Sequence, residues 1–369
     1  MSVSTEAAVV ESPGAAFQLQ QVTLGELQAH EVLVEVKAAG LCHTDLSVAS
    51  GGLPFPLPGV LGHEGTGIVV ETGAGVTRVR PGDAVVMSFT SCGRCQSCRS
   101  GHPAYCDTWL PDNLMGGARA DGSSPITREG KELGGHFFGQ SSFARMSVAD
   151  ERSLVKVETT LPWEHLAPLA CGVQTGAGAV WHAIRPEPGS SLVVFGAGTV
   201  GLSAIIAASL SPAVTIVAVD RMQSRLNIAA EVGATHTVVA DKETDVVARI
   251  QELTGGGVHA AIEATGQTSV LEQAVASTRP RGHVVSVGAP PFGATAAIDV
   301  NFIMPGRHIE GLTLGDSEIE TLIPALIALA ETERFPVKKL VDVYQLEDIN
   351  QAVEDTRTGA TIKPVLLLC

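Results

Sequence analysis

The sequence predicts an α/β protein of two domains, a β-rich domain followed by a doubly wound parallel sheet. A chain of 369 residues exceeds the size at which one hydrophobic core stops growing, so two domains are expected. The first part, to about residue 155, is rich in Gly and Pro and contains short β-type runs such as VLVEVKA (32–38) and GIVVETG (67–73). From about residue 190 apolar strands alternate with helical stretches, which is typical of βαβ units.

The alternating part contains six predicted strands. They are SLVVFG, VTIVAVD, HTVVA, HAAIEATG, HVVSVG and HIEGLTL, with helices in TVGLSAIIAASL, MQSRLNIAAEVG, VVARIQELTGGG and near 268–278. Beyond residue 315 we predict a helix through Leu322 and Ala330, a second helix at 346–358 and a strand in KPVLLL. These elements are expected to return to the first domain. The predicted domains are therefore 1–172 with 314–369, and 173–313.

Composition and charge argue against several classes of partner. The net charge of −15 and the pI near 5.1 disfavour nucleic acids and anionic membranes, because binding to phosphates requires clusters of Lys and Arg. The start, MSVSTEAAVVESPG, lacks the basic and apolar regions of a secretion signal, and no apolar run reaches about 18 residues. We therefore expect a cytoplasmic protein with a small-molecule partner, whose clustered cysteines bind metal or act as catalytic thiols.

The strongest motif is CGRCQSCRSGHPAYC, which contains four closely spaced cysteines. They are Cys92, Cys95, Cys98 and Cys106. Four thiolates on one short lobe can close a tetrahedral zinc shell with no open position, which is the structural type of zinc site. An iron–sulfur cluster is an alternative for Cys-x-x-Cys repeats, and disulfides or unrelated thiols in a secreted loop are another. The tight spacing favours a structural zinc ion.

Cys42, Cys171 and Cys369 lie outside this lobe. The stretch GHEGTGIVVETGAG places His63 and Glu64 about twenty residues after Cys42. Two thiolates and one imidazole would leave the fourth position of a zinc ion open, which is the catalytic type of site. The alternative is structural, since a lone buried Cys is usually a small apolar group and a lone His a hydrogen-bonded polar one. Cys369 is interpreted as a bystander.

A glycine motif, VVFGAGTVG (193–201), opens the alternating part between a predicted strand and a predicted helix. Its glycines are Gly196, Gly198 and Gly201. They would admit a pyrophosphate at the helix N-terminus, and Asp220, at the end of the next strand, would accept hydrogen bonds from the adenosine ribose. The Asp220 carboxylate would repel a 2′-phosphate, whereas Arg221 beside it can favour one. We predict NAD as the cofactor; a generic glycine turn is the alternative.

Together these motifs resemble the zinc-dependent alcohol dehydrogenases of the medium-chain dehydrogenase/reductase superfamily. The resemblance covers nearly the whole chain and rests on GLCHTDL, GHEGTGIVVETGAGV, the four-cysteine lobe, LACGVQTGAGAV, GAGTVG and RTGATIKPVLLL. HFFGQSSFA and GVQTGAGAV look most like the aryl (benzyl) alcohol dehydrogenase branch. The resemblance implies a GroES-like catalytic domain with a zinc lobe near 92–106, a Rossmann coenzyme domain, two zinc ions per subunit, NAD, and a homodimer or homotetramer.

The resemblance also implies roles for residues near the metal. The catalytic zinc ligands are matched by Cys42, His63 and Cys171, and the structural ones by the lobe cysteines. Thr44 matches the hydroxyl that takes the alcohol proton, Asp45 the carboxylate that orients the ligand His, and Glu64 a glutamate near the zinc. Ser47 stands where some of the family have the histidine that ends the proton relay. His43 is a candidate for that base, or for binding an anion.

Further positions are matched to the cofactor and the substrate. The predicted cofactor contacts are Thr199 in the glycine turn, Thr175 and Val200 beside the nicotinamide, the backbone of Val287 at the carboxamide, and Arg225 and Lys363 at ribose and pyrophosphate. Phe89 and Trp109 would line a pocket that suits an aromatic or allylic primary alcohol. Zinc would lower the pKa of that alcohol, and hydride would pass to the nicotinamide.

The predicted activity is therefore reversible hydride transfer between NAD and an aryl or allylic primary alcohol. The alternatives are a short-chain aliphatic alcohol dehydrogenase and an S-(hydroxymethyl)glutathione dehydrogenase. The second needs cationic groups for the glutathione carboxylates, which Arg119 and Arg128 can provide. A non-catalytic dinucleotide-binding protein would be expected to lack a catalytic ligand or Thr44, and all of these are present.

Overall fold

A computed structural model describes residues 2–368, so Cys369 lies outside the described residues. The chain divides into two compact units. The first unit consists of Met1–Cys171, Glu318–Thr332 and Val341–Cys369, and the second unit of Gly172–Ser317 and Glu333–Leu340. The limits expected from the sequence, 1–172 with 314–369 and 173–313, stay a prediction of where the functional domains divide.

The first unit is built from short, mainly antiparallel strands. Its N-terminal strands are β1 (Val3–Val10), β2 (Gln18–Leu24), β3 (Glu31–Gly40), β4 (Gly59–Val60), β5 (Gly65–Thr72), β6 (Ala84–Met87), β7 (Ile126–Arg128), β8 (Lys131–Glu132), β9 (Met146–Asp150) and β10 (Leu154–Lys156). One sheet has the order β4-β1-β2-β7-β8. In the other, β10, β6, β5 and β3 follow one another, and β9 pairs with β3. β3 lies inside this sheet, where its valines are buried.

The second unit contains one parallel sheet. Its strands are β11 (Ser191–Phe195), β12 (Thr215–Asp220), β13 (His236–Val239), β14 (Val258–Glu263), β15 (Thr278–Ser286) and β16 (His308–Gly311). They lie in the order β13-β12-β11-β14-β15-β16, and every neighbouring pair is parallel. Val193, Phe195, Val217 and Ile250 are buried in its core. The predicted doubly wound α/β fold is confirmed, because short apolar strands separated by helices can bury both faces only in such a sheet.

Both units contain helices, and those between β11 and β16 pack on the parallel sheet. They are α1 (His43–Ala49), α2 (Gln96–Arg99), α3 (Trp163–Leu166), α4 (Gly172–Gly178), α5 (Thr199–Ser209), α6 (Gln223–Glu231), α7 (Val246–Thr254), α8 (Thr268–Ala276), α9 (Val300–Ile303), α10 (Ile319–Glu331) and α11 (Ile349–Thr358). Local chemistry sets their limits: Asp245 accepts a hydrogen bond from the Ala248 N–H at the start of α7, and Gly255 ends it with φ +66°. Among the described residues, no helix is long and apolar enough to span a bilayer.

The last strands join the sheet that contains β3. They are β17 (Val341–Gln345) and β18 (Lys363–Leu367). β18 pairs antiparallel with β3, so that Val365 faces Gly40, and pairs parallel with β17. The C-terminal strand therefore lies inside a sheet whose other members come mainly from the N-terminal part of the chain.

Candidate metal centres and dinucleotide site

The C-terminal end of β3 lies beside the N-terminal ends of two neighbouring strands in the same sheet. β3 runs antiparallel to both β5 and β18, so the end of β3 lies beside the beginnings of the other two. Cys42 follows β3, His63 precedes β5, and Lys363 opens β18. Residues that are distant in sequence are thus brought together by strand pairing.

Four potential metal ligands lie close together near these strand ends. One ligand atom from each of Cys42, His63, Glu64 and Cys171 lies within 4.8 Å of the others. Nε2 of His63 is buried and has no hydrogen-bond partner among the described residues. A buried imidazole nitrogen without a partner is costly, and a metal ion would satisfy it. Two sulfurs and one nitrogen are ligands that Zn²⁺ accepts, so these residues fit a zinc ion with one further position.

Asp45 fixes the orientation of His63. Its Oδ1 lies 3.1 Å from Nδ1 of His63 and accepts from the Gly62 N–H, while its Oδ2 accepts from the Cys42 N–H at 2.9 Å. Asp45 is fully buried. Burial alone would lower the pKa of His63, but the Asp45 carboxylate, with a further contribution from Cys42, raises this pKa to about 10. With Nδ1 held by the carboxylate, Nε2 is the nitrogen that faces a metal, as expected for a carboxylate–histidine–zinc arrangement.

The two thiols of this site differ in acidity. A hydrogen bond from Cys171 holds the pKa of Cys42 well below its usual value, with help from the charge of Lys363. The same hydrogen bond and burial hold the pKa of Cys171 well above its usual value. The pair therefore keeps one proton until a cation replaces it, and metal binding must release that proton.

Glu64 and Lys363 form a buried ion pair beside the ligands. Nζ of Lys363 donates to the two carboxylate oxygens of Glu64 at 2.8 and 3.0 Å and to the carbonyl of Leu41 at 3.1 Å. A Cβ at Gly40 would lie 2.0 Å from Oε2 of Glu64, so only glycine leaves room for this carboxylate. The predicted contact of Lys363 with the cofactor pyrophosphate stays a prediction, since the pairing with Glu64 is the role that the structure gives to this side chain.

The remaining residues of GLCHTDL lie on α1. Oγ1 of Thr44 is 3.9 Å from Sγ of Cys42, and this side chain is half-buried. Ser47 is half-buried and His43 is exposed. Residues three or four positions apart share one face of a helix, so Ser47 lies on the same side as Thr44 and as His43. Their roles in proton transfer stay predictions.

Aromatic rings surround His63. The ring of Phe138 stacks on the imidazole with centroids 4.4 Å apart, and Phe137 meets it edge-on at 5.4 Å. Trp109 meets Phe138 edge-on at 5.6 Å, and its buried Nε1 has no hydrogen-bond partner within residues 2–368. Phe89 is buried, and its predicted place in the substrate pocket stays a prediction. Trp109 thus belongs to an aromatic cluster on the ligand His63.

Sequence reasoning did not assign Phe138 or Gln140, although both lie in the quoted stretch HFFGQSSFA. Phe138 adopts φ +53°, an uncommon backbone conformation for a bulky residue that indicates a positional constraint. Nε2 of Gln140 lies 3.1 Å from the carbonyl of His63, and its Oε1 accepts from the Gly65 N–H at 3.1 Å. Gln140 therefore holds the backbone on both sides of Glu64. An amide residue shortly after the aromatic pair FF was the sequence feature that could have indicated this.

The four lobe cysteines form a second, separate cluster. Sγ of Cys92 is 3.9 Å from Sγ of Cys98, and Sγ of Cys95 is 4.0 Å from Sγ of Cys106. Sulfurs bonded tetrahedrally to one zinc ion at about 2.3 Å lie about 3.8 Å apart. The four form no disulfide. This spacing fits one ion and is too small to enclose a cluster of several irons.

Backbone N–H groups stabilise the thiolate form of Cys95 in this lobe. The N–H groups of Cys98 and Asp107 lower the pKa of Cys95 to about 6, whereas burial raises the pKa of Cys98 to about 12. Four neighbouring thiolates repel one another, so they can all ionise only around a cation. The lobe therefore fits a closed structural metal site.

The glycine motif lies between β11 and α5. Gly196 adopts φ +93°, and a Cβ at Gly201 would lie 1.7 Å from the carbonyl oxygen of Gly196, so both positions require glycine. A Cβ at Gly198 would meet no atom within 4 Å, which leaves open space beside the helix N-terminus. Oδ2 of Asp220 accepts from the Ala197 N–H at 2.7 Å. The turn thus offers room for a pyrophosphate and a carboxylate for the ribose.

Other predicted cofactor residues lie in the same unit. Thr199 and Val200 are the first residues of α5, and Thr175 lies on α4. The two helices are in close contact, because a Cβ at Gly176 of α4 would lie 2.1 Å from the Val200 carbonyl oxygen. Arg221 is exposed, whereas Arg225 is half-buried and its Nε has no partner among the described residues. The N–H of Val287 donates to the Glu263 carbonyl at 2.8 Å, so a carboxamide would meet the Val287 carbonyl instead. These contacts stay predictions.

Comparisons with known proteins agree with this chemistry. The alcohol dehydrogenase GroES-like domain matches residues 28–159, and the zinc-binding dehydrogenase family matches residues 199–328. The geraniol dehydrogenase of Castellaniella defragrans is 40% identical over 366 residues, which cover 99% of this chain and 98% of that protein.

Two solved structures match the whole chain. An alcohol dehydrogenase zinc-binding domain protein from Burkholderia ambifaria has a TM-score of 0.97 and 46% identity, with 100% of both chains covered. The benzyl alcohol dehydrogenase of Acinetobacter calcoaceticus has a TM-score of 0.96 and 43% identity, also with 100% of both chains covered. The chain therefore belongs to the zinc-dependent alcohol dehydrogenases of the medium-chain dehydrogenase/reductase superfamily.

Proposed function

We propose that this protein catalyses reversible hydride transfer between NAD and an aryl or allylic primary alcohol, with two zinc ions per subunit. The observation that carries the proposal is the contrast between the two clusters of the first unit. The lobe supplies four thiols and would close a zinc shell. In the other cluster the Glu64 carboxylate is paired with Lys363, so Cys42, His63 and Cys171 would supply three ligands and leave one position for substrate. Relatives named geraniol dehydrogenase and benzyl alcohol dehydrogenase support the substrate class.

A zinc ion at the three-ligand site would act as a Lewis acid that lowers the pKa of a bound alcohol, while a nicotinamide accepts the hydride. The chain itself must then remove the alcohol proton. Thr44 is the nearest hydroxyl to Cys42 on α1, and Ser47 lies one turn further on the same face. We infer that the proton passes from Thr44 toward Ser47 and solvent, with exposed His43 as the outer base. Glu64 and Lys363 neutralise each other beside the ligands and add no net charge.

The aromatic cluster supports a flat, unsaturated substrate. Phe138 and Trp109 are edge-to-face beside the ligand His63, and such surfaces bind aromatic and conjugated groups by stacking. The glutathione alternative loses support, because Arg119 makes a two-point ion pair with Glu31 and Arg128 pairs with Glu11. Neither arginine is therefore an available site for a glutathione carboxylate.

A substrate panel tests the proposal. Formation of NADH is measured with benzyl alcohol, cinnamyl alcohol, geraniol, ethanol and S-(hydroxymethyl)glutathione, each with and without a zinc chelator. We expect kcat/KM for the aromatic and allylic alcohols to exceed that for ethanol by at least about a hundredfold, since each buried apolar group contributes one to three kcal/mol. Chelation should abolish turnover. Preferential turnover of ethanol or of the glutathione adduct would contradict the substrate assignment.

Coenzyme choice is expected to depend on Asp220. In Asp220→Ser the carboxylate that would repel a 2′-phosphate is lost while exposed Arg221 remains, so kcat/KM with NADP should rise by about tenfold or more and that with NAD should fall. The control is Glu252→Gln, which removes an exposed carboxylate of α7 that is paired with Arg249. An unchanged ratio of NAD to NADP turnover in Asp220→Ser would show that this carboxylate does not select the coenzyme.

Assembly and location extend the proposal. β16 is the edge of the parallel sheet, and Val300, Phe302 and Met304 beside it are 65%, 40% and 75% exposed. An edge strand and an apolar patch of this kind suit pairing with a second copy of the chain. We propose a homodimer or a dimer of such dimers, and light scattering would measure its mass.

The six described cysteines form no disulfide, which suits a reducing compartment, and we propose that the protein is cytoplasmic.

A further inference from the structure

A third group of metal-binding side chains lies on the parallel sheet, away from both zinc clusters. His283 on β15 is the direct neighbour of His308 on β16, and Val285 is the neighbour of Glu310. Alternate residues of a strand point to the same face, so His308 and Glu310 lie side by side across from His283. Ile309 between them packs into the core on the opposite face. The register of two neighbouring strands thus gathers two imidazoles and a carboxylate.

The distances fit one coordinated ion. One ligand atom from each of the three residues lies within 4.8 Å of the others. Nε2 of His283 is 3.0 Å from Oε1 of Glu310, and the two imidazole centroids are 4.5 Å apart. Ligands bonded to a tetrahedral Zn²⁺ at about 2.0 Å are about 3.3 Å apart, so small side-chain rotations would complete the set.

A simple ion pair accounts for this group less well. Although Nε2 of His283 lies 3.0 Å from Oε1 of Glu310, it is buried and has no hydrogen-bond partner among the described residues. An ion pair between His283 and Glu310 also does not involve the imidazole of His308, the third member of the group. A metal ion would satisfy the buried nitrogen, the second imidazole and the carboxylate together.

We propose that His283, His308 and Glu310 form an accessory site for a divalent transition-metal ion such as Zn²⁺. Two neutral imidazoles and one carboxylate suit such an ion, and with three protein ligands the remaining position is left to water. The ion would tie the edge strand β16 to β15 and stiffen this edge of the sheet. The inference does not rest on the proposed dehydrogenase activity, because it uses none of the residues of the two zinc clusters or the glycine motif.

The test measures zinc binding by protein that carries no polyhistidine tag, because such a tag would itself bind metal. The protein is used with its zinc sites loaded. Zinc per chain is measured by equilibrium dialysis over a range of free Zn²⁺. We expect wild type to bind one equivalent beyond the two held tightly, and His308→Ala and Glu310→Gln to weaken that equivalent by at least about tenfold while keeping the first two. The matched control is His236→Ala, an exposed histidine on the opposite edge strand β13, which should bind like wild type.

Hydrogen exchange locates the third equivalent without a substitution. Added Zn²⁺ should slow amide exchange in β15 and β16 of the wild-type protein and leave β12 and β13 unchanged. The proposal is overturned by any of three results: no third equivalent, an equivalent that all variants bind equally, or zinc-induced protection that falls outside β15 and β16.

Discussion

Replacing Cys171 with alanine is expected to remove one of two tightly bound zinc ions and to lower kcat/KM for the best alcohol by at least about a thousandfold. Cys171 would supply one of the three proposed ligands, because Glu64, the fourth side chain of the cluster, is paired with Lys363. Polarisation by the metal would supply several kcal/mol of transition-state stabilisation. The fold should persist, because the substitution leaves a small side chain at the same buried position. The measurements are zinc content by mass spectrometry, steady-state turnover and circular dichroism.

The lobe provides the reciprocal control for this experiment. A variant of Cys171 should keep the lobe zinc, and a variant of the lobe should keep the catalytic zinc. Full alcohol turnover in Cys171→Ala would refute the assignment of Cys171 as a catalytic ligand. Loss of both zinc ions would instead indicate that the variant is unfolded, which circular dichroism detects independently.

Replacing Cys98 with serine is expected to remove the lobe zinc and to raise the rate of thermal inactivation by at least about tenfold. The lobe has few buried apolar side chains, with Ala104 at 2% and Cys106 at 5% exposure, so metal binding must supply much of its folding free energy. Initial turnover at low temperature should stay close to wild type, because the catalytic ligands lie in a different cluster.

The control for the lobe is Gln96→Ala, which changes an exposed residue of α2 between two of the ligands. It should retain two zinc ions and the wild-type inactivation rate. Equal thermal inactivation of Cys98→Ser and wild type would show that the lobe metal does not stabilise the protein.

The parallel sheet and the lobe were predictable because their determinants are local. Short apolar strands separated by helices specify the six-stranded sheet, and the spacing of Cys92, Cys95 and Cys98 alone indicates a metal cluster. The glycine turn is also local, since strand, turn and helix follow one another in sequence. Periodicity and spacing are sufficient where the interacting groups lie within one turn or one βαβ unit.

The contacts around Cys42, His63 and Cys171 depend on pairing between strands that are distant in sequence, which the spacing of residues in the sequence does not encode. The contact between Lys363 and Glu64 spans 299 residues and follows from the pairing of β18 with β3. The stacking of Phe138 on His63 requires a left-handed backbone that the sequence HFFG does not specify. Resemblance to a family suggested the ligands, whereas these contacts became visible only in three dimensions.

The central place of β18 has a consequence for the order of events on the ribosome. Cys42, His63 and Cys171 emerge early, but Lys363 follows Cys171 by 192 residues, which corresponds to about 10 to 40 s of synthesis. The segment Gly172–Ser317 is complete before β18 exists, so the parallel sheet can fold while the metal ligands still lack the cation beside Glu64. The three proposed ligands are thus synthesised well before β18, the strand that pairs with β3 and carries the cation beside Glu64.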